Sequence, residues 1–317
     1  MSVLHPQAQA LVDAMARMNL IPPDKLSVEQ AREQFRRSRI PFVAPPQAVG
    51  AAIDAAIPGP GGKLRIRVYR PLGSRPDELL PAMVYFHGGG WVFGDLDSHD
   101  PLCRELCNLA HCAVVAVDYR LAPEHRFPAA VEDAISAVRH VAQHAADLGI
   151  DGSRLAAGGD SAGGNLTTVA ALTLRDQGGP QLRLQVLIYP VTDFSMDALS
   201  YARIANGFTF SKERMRYFRE SYLRGTADVS DWRASPLKAE DVSRLPPALL
   251  IAAGHDPLVD EGKAYADRLT AAGVPVSYTC YEGMVHGFVS LAGAIDAGHT
   301  AIAEAAAALK RAFWPVR

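Results

Sequence analysis

Long apolar runs, cysteines and an excess of either charge are all scarce in this sequence. No apolar stretch approaches the ~18 residues needed to span a bilayer, so no membrane span is expected. The opening residues, MSVLHPQAQALVDAMARMNL, lack a basic start followed by an apolar block. No secretory leader is read there, and the expected setting is cytoplasmic. Lys and Arg number 32 against 34 Asp and Glu, a net charge of −2 with the signs interspersed. That balance argues against nucleic acid or an anionic membrane as the main partner. The densest basic run, Arg36-Arg37-Ser38-Arg39, closes a helical pattern, where cations favour the helix dipole; it is read as a solvated helix end. The four cysteines (Cys103, Cys107, Cys112, Cys280) lack the paired CxxC spacing of structural zinc sites. Cys103 and Cys107 are spaced to share a helix face, and buried, inert thiols are expected rather than a metal site. There is neither an internal repeat nor a low-complexity tract.

What the sequence does have is material for a core. Of its 317 residues 49% are hydrophobic and 21% charged, enough for one large α/β unit with an appended piece. Ala8, Leu11, Val12, Met15 and Met18 recur at helical intervals, and a second helix is predicted from a capping box at Ser27 and Gln30 towards Arg37. IPFVAPPQAVG then ends helical structure. From residue 64, LRIRVYRP alternates like an antiparallel strand with one wet face. PAMVYFHG, CAVVAVDYR, RLAAGGDS, LQVLIYPV, PPALLIAAGHD and VPVSYTCYEG follow, mostly continuously apolar, as parallel strands covered on both faces are. Helical patterns near 126–146, 162–177, 259–272 and 297–314 alternate with them, which predicts a doubly covered α/β sheet. Residues 195–235 interrupt the alternation. This aromatic and charged insertion, helical in SKERMRYFRESYL, is expected over the C-terminal edge of the sheet, where ligands bind in such folds.

The chemistry centres on GGDSAGGN, residues 158–165. Gly159-Asp160-Ser161-Ala162-Gly163 matches G-x-S-x-G between a predicted strand and a predicted helix, the setting of a nucleophile elbow. Glycine two places to either side leaves room for a sharp turn, and the following helix aims its N-terminal N–H groups at the serine. A phosphate loop would need a lysine beside its last glycine, and a dinucleotide loop would need G-x-G-x-x-G; neither is present, and no cofactor is expected. Serine needs a base to take its proton and a third group to hold that base. On sheets with this elbow the acid and then the histidine follow the serine in the chain. Of the histidines after Ser161, His299 falls in the last helix and His255 comes directly before the best acid, which leaves His286 in EGMVHGF. Asp256 ends the strand ALLIAAGHD and is favoured as the acid. Asp193 is the lesser rival, while Asp260 and Glu261 suit the start of the next helix. HGGGWVFGD after AMVYF offers successive N–H groups from Gly88, Gly89 and Gly90. With Ala162 they are the candidate oxyanion donors. His87 is read as bracing that loop, and Trp91 as lining the pocket or packing.

With these motifs placed, the sequence resembles the hormone-sensitive lipase family of α/β-hydrolases, including its bacterial GDSAG-type esterases. HGGGW, DYRLAPEHRFPAA, GGDSAGG, HDPLVDEG and GMVHGF carry the resemblance in family order over most of the chain. It implies an α/β-hydrolase fold: a mostly parallel central sheet flanked by helices, with a helical cap made of residues 1–50 and an insertion at about 195–235 on a catalytic domain of 51–317. It implies Ser161 as nucleophile, His286 as base, Asp256 as acid, and N–H donors from the Gly88–Gly90 turn and Ala162. It also implies a structural role for Asp160, a buried polar network of Asp118, Tyr119, Arg120 and Glu124 under the site, and a homodimer through the edge strand VPVSYTCYEG. The expected activity is hydrolysis of small esters with short to medium acyl chains. An amidase or deacetylase of arylacetamide type would use the same residues. A non-catalytic receptor, as the plant gibberellin receptors are on this fold, would have replaced His286.

Overall fold

The apolar blocks become the strands of one eight-stranded sheet. The computed structural model describes residues 3–204 and 209–315. Its strands are β1 (Ala51–Gly59), β2 (Gly62–Arg70), β3 (Leu80–Phe86), β4 (Ala113–Asp118), β5 (Ile150–Asp160), β6 (Gln185–Ile188), β7 (Ala248–His255) and β8 (Val276–Val285), in the order β1-β2-β4-β3-β5-β6-β7-β8. β2 runs antiparallel to β1 and β4, and every pairing from β4 to β8 is parallel. All seven residues of β3 are buried, because helices cover both of its faces. The helices are α1 (Pro6–Arg17), α2 (Val28–Arg39), α3 (Asp100–Ala110), α4 (Ala129–Gln143), α5 (Ala162–Asp176), α6 (Leu199–Arg203), α7 (Lys212–Tyr222), α8 (Val259–Ala271) and α9 (Asp296–Phe313). Val84 and Phe86 pack with Val138 of α4 and Leu166 of α5, whereas Met83 and Tyr85 pack with Leu106 of α3 and Leu309 of α9. No helix among the described residues is long and apolar enough to cross a membrane.

Two elements escaped the sequence pattern. β1, AAIDAAIPG, is small and mostly exposed, with no alternation to mark it. Its register against β2, from Ala51↔Arg70 to Gly59↔Gly62, makes it an edge strand through pairing alone. α3 holds Cys103 and Cys107 on its buried face, so their four-residue spacing was its one signal. Burial pushes the Cys107 thiol up to about 12.

The capping box at α2 forms as expected: Ser27 Oγ accepts from Gln30 N at 3.3 Å, and Gln30 Oε1 accepts from Ser27 N at 3.0 Å. α2 reaches the sheet domain through Arg32. Its guanidinium donates to both carboxylate oxygens of Glu124 (2.7 and 2.8 Å) and to the carbonyls of Val92 and Ala122. Glu124 is therefore a tether to the N-terminal helices rather than part of a buried network. Arg120 pairs with Asp133 of α4 and Asp118 with Arg65 of β2; of that group only Tyr119 reaches the site.

Candidate active site

Ser161 stands between β5 and α5 at φ 56°, ψ −114°, a conformation that costs an L-residue about 1–3 kcal/mol and persists only where its surroundings enforce it. The enforcement is visible. A Cβ on Gly159 or on Gly163 would run into the carbonyl oxygen of Phe86, so glycine is obligatory at both flanks. Ser161 N–H is tied to Ile188 O at 2.8 Å.

His286 follows β8 and Asp256 follows β7, so two neighbouring strands bring them together across 30 residues of sequence. His286 Nε2 lies 3.0 Å from Ser161 Oγ, and Nδ1 lies 2.6 Å from Asp256 Oδ2. A carboxylate at Nδ1 fixes the proton there and leaves the Nε2 lone pair facing the serine. Asp256 is fully buried, and its other oxygen accepts from Leu258 N at 2.9 Å. The imidazole is held between Tyr189 (ring centroids 4.6 Å) and Phe210 (4.5 Å, stacked), while Thr209 Oγ1 donates to His286 O at 2.7 Å. The rival acid is elsewhere: Asp193 pairs with Lys238 at 3.1 Å. Glu261 is no surface partner of a helix dipole. It is buried, takes the N–H of Thr192 at 2.8 Å, and is pushed up to about 8 by burial.

The glycine turn is set by Asp160. Oδ1 of this buried carboxylate accepts from Tyr85 Oη (2.7 Å) and Gly88 N (2.9 Å), and His99 Nε2 lies 3.3 Å away. Burial works against the charge, but His99 and these donors outweigh it and hold Asp160 well below the usual carboxylate range. One sequence expectation changes as a result. Gly88 N–H points at Asp160, so it is not an oxyanion donor; the hydrogen bonds of the described residues leave the N–H groups of Gly89, Gly90 and Ala162 untaken. Gly89 and Gly90 adopt φ 121° and 62°, and a Cβ on Gly90 would strike the Phe218 ring. His87 braces the loop: Nδ1 lies 2.8 Å from Gly88 O, and its ring stacks on Tyr119 at 4.3 Å. Burial lowers its pKa to about 4, which keeps it neutral. Trp91 is fully buried and stacks on Tyr222 of α7 at 4.5 Å, a packing role away from the cavity.

Above Ser161 lies a cavity of about 900 Å³, its open mouth included. Its floor is Gly88–Gly90, Asp160, Ser161 and His286, and much of its wall comes from α2 and α7, through Phe35, Arg39, Arg214 and Phe218. Arg39 corrects the reading of the basic run. Arg36 and Arg37 are exposed as expected, but Arg39 turns inward, donating to Ser290 Oγ at 2.6 Å with its Nε buried. Only its position in the last turn of an amphipathic helix hinted at this. For Arg214 the sequence carried no signal.

A hydroxyl, an imidazole and a buried carboxylate in one hydrogen-bonded line, beneath a cavity walled by α2 and α7 at the strands' C-terminal edge, define the α/β-hydrolase class. A family model described as alpha/beta hydrolase fold matches residues 83–290, and the chain belongs to that family, within its hormone-sensitive lipase group. It is 47% identical over 252 residues to the carboxylic ester hydrolase LipN of Mycobacterium tuberculosis (78% of this chain, 66% of LipN). It is 40% identical over 281 residues to the ethyl acetate hydrolase of Pseudomonas putida (87% and 88%). The ester-hydrolase EH1AB1 from the metagenome of Lake Arreo superposes with a TM-score of 0.93 at 42% identity, covering 97% of this chain and 98% of that one.

Proposed function

We propose that this carboxylic ester hydrolase cleaves short- to medium-chain acyl esters through an acyl-enzyme on Ser161. The observation that carries the reading is the line Ser161 Oγ, His286, Asp256, with contacts of 3.0 and 2.6 Å. Oγ attacks the ester carbonyl while Nε2 accepts its proton; the N–H groups of Gly89, Gly90 and Ala162 receive the developing oxyanion. His286 returns the proton to the leaving alcohol. A water then gives its proton to Nε2, attacks the acyl carbonyl and releases the acid as Oγ recovers its hydrogen. Asp256 holds the imidazole in the productive tautomer and stabilises its charged form. A receptor role is disfavoured because the base is present and within reach of the serine.

The cap walls support short acyl chains, as does the ethyl acetate named for one relative. We divide the chain into cap segments at 1–50 and about 195–235 and a catalytic unit of 51–317. The outer edge of β8, half-buried along most of its length, supports a homodimer joined through that strand. The test is turnover of p-nitrophenyl esters of increasing chain length, with one anilide included. A maximum near butyrate with little anilide cleavage is expected; rates that climb to the longest chain, or a dominant anilide, overturn it.

A further inference from the structure

Two guanidinium groups line the cavity above Ser161, and among the described residues neither is ion-paired with a carboxylate. Arg214, on the first turn of α7, makes no side-chain hydrogen bond or ion pair among the described residues. Arg39, at the end of α2, makes its direct contacts among the described residues with the neutral Ser290 hydroxyl and the face of the Phe35 ring, whose centroid lies 5.0 Å from Cζ. Its Nε is buried with no acceptor. Every other inward-reaching arginine described above is matched: Arg32 by Glu124 and Arg120 by Asp133. Of the acids at the cavity floor, Asp160 takes Tyr85, Gly88 and His99 on Oδ1 and acts on Arg39 only as a charge beyond ion-pair distance, and Asp256 is engaged by His286 and Leu258. Residues 205–208, outside the described set, are Ala-Asn-Gly-Phe and bring no acid.

Half-buried arginines without a counter-ion are costly, since desolvation penalises the charge and leaves donors unmet. Burial accordingly holds both groups below the usual arginine range. A purely hydrophobic ester would fill the cavity without relieving that cost. A planar carboxylate meets the guanidinium fork with two parallel charge-assisted hydrogen bonds. Resting on the esterase reading above, we infer that the preferred substrates are esters that themselves carry a carboxylate, which Arg39 and Arg214 bind from the two cap segments while Ser161 attacks the ester.

Acid release, followed by pH-stat, tests this with two matched pairs. Monoethyl adipate against ethyl hexanoate puts the carboxylate on the acyl side; 4-acetoxybutanoate against butyl acetate puts it on the alcohol side. In each neutral partner a methyl group replaces the carboxylate. In at least one pair the anionic ester should show a kcat/KM at least ~10-fold above its partner, and Arg214→Met or Arg39→Lys should reduce that ratio by a similar factor. Neutral esters preferred or equal in both pairs overturn the inference, as does a ratio that survives both substitutions. The wild-type comparison stands even if Arg39→Lys fails to fold. Should none of the four esters be cleaved, or those that are be cleaved equally by Ser161→Ala, the esterase reading fails instead, a result distinct from loss of the anionic preference.

Discussion

At the elbow the backbone passes so close to Phe86 that no side chain fits at Gly159 or Gly163. On the far side of the cavity, Arg214 and Phe218 of α7 face it from helix positions where the backbone does not dictate the side chain. The sheet side admits only glycine at these two positions, and it carries the residues proposed for the reaction. The helix side is sterically more permissive, so its side chains are the ones free to match a substrate. Substitutions should therefore be severe and all-or-none below the cavity, and graded and substrate-dependent above it.

The sharpest contrast comes from Ser161→Ala, which should lower turnover of p-nitrophenyl butyrate by more than about 10⁴-fold. The thermal midpoint should barely move, because among the described residues Ser161 Oγ hydrogen-bonds only His286. Turnover within tenfold of wild type would end the assignment. Gly163→Ala comes next: its methyl group would collide with Phe86 O, costing on the order of 3 kcal/mol in denaturant unfolding together with most activity. An unchanged midpoint would show that the elbow can relax.

Asp160→Asn should cost about 2 kcal/mol and weaken catalysis without abolishing it, since it loosens Gly88 and with it the donors at Gly89 and Gly90. It also carries a pH signature. The folded state holds Asp160 below its ordinary pKa, so the unfolded chain binds the proton first. The stabilisation is complete above the ordinary carboxylate value of about 4 and fades as pH falls below it. Melting curves from pH 6 down to 3 should fall less steeply for Asp160→Asn than for wild type; parallel curves would remove Asp160 from the account.

Above the cavity, Phe210→Ala removes the ring stacked on His286, and a several-fold rise in KM with a smaller fall in kcat is expected from steady-state kinetics. The smallest effect belongs to Glu124→Gln. The tether to Arg32 is bidentate but half-exposed, so solvent screening limits it to at most about 1 kcal/mol in chemical unfolding. A substitution on α2 or α7 as damaging as Ser161→Ala would erase the distinction between the two sides.

The same division decides what could be read in advance. Parallel strands showed as apolar blocks because both faces are covered, and the elbow showed because its glycines are forced by contact with a neighbouring strand. Ser161, His286 and Asp256 could be singled out because chain order on this fold is constrained. β1 could not, since AAIDAAIPG is a strand only because β2 lies beside it. Nor could the fate of Gly88, whose N–H is claimed by a carboxylate 72 residues away.

By itself, then, the sequence determined the elements whose cause is local, periodicity and the capping at Ser27, and it marked the elbow by its glycines. Tertiary structure alone decided which polar groups face one another. It gave Asp160 to the glycine turn, Glu124 to the N-terminal helix, and Arg39 and Arg214 to the cavity with no ion pair among the described residues. The physical reason is that a charge's role depends on its partner and its solvation, and both are set by segments distant in the chain.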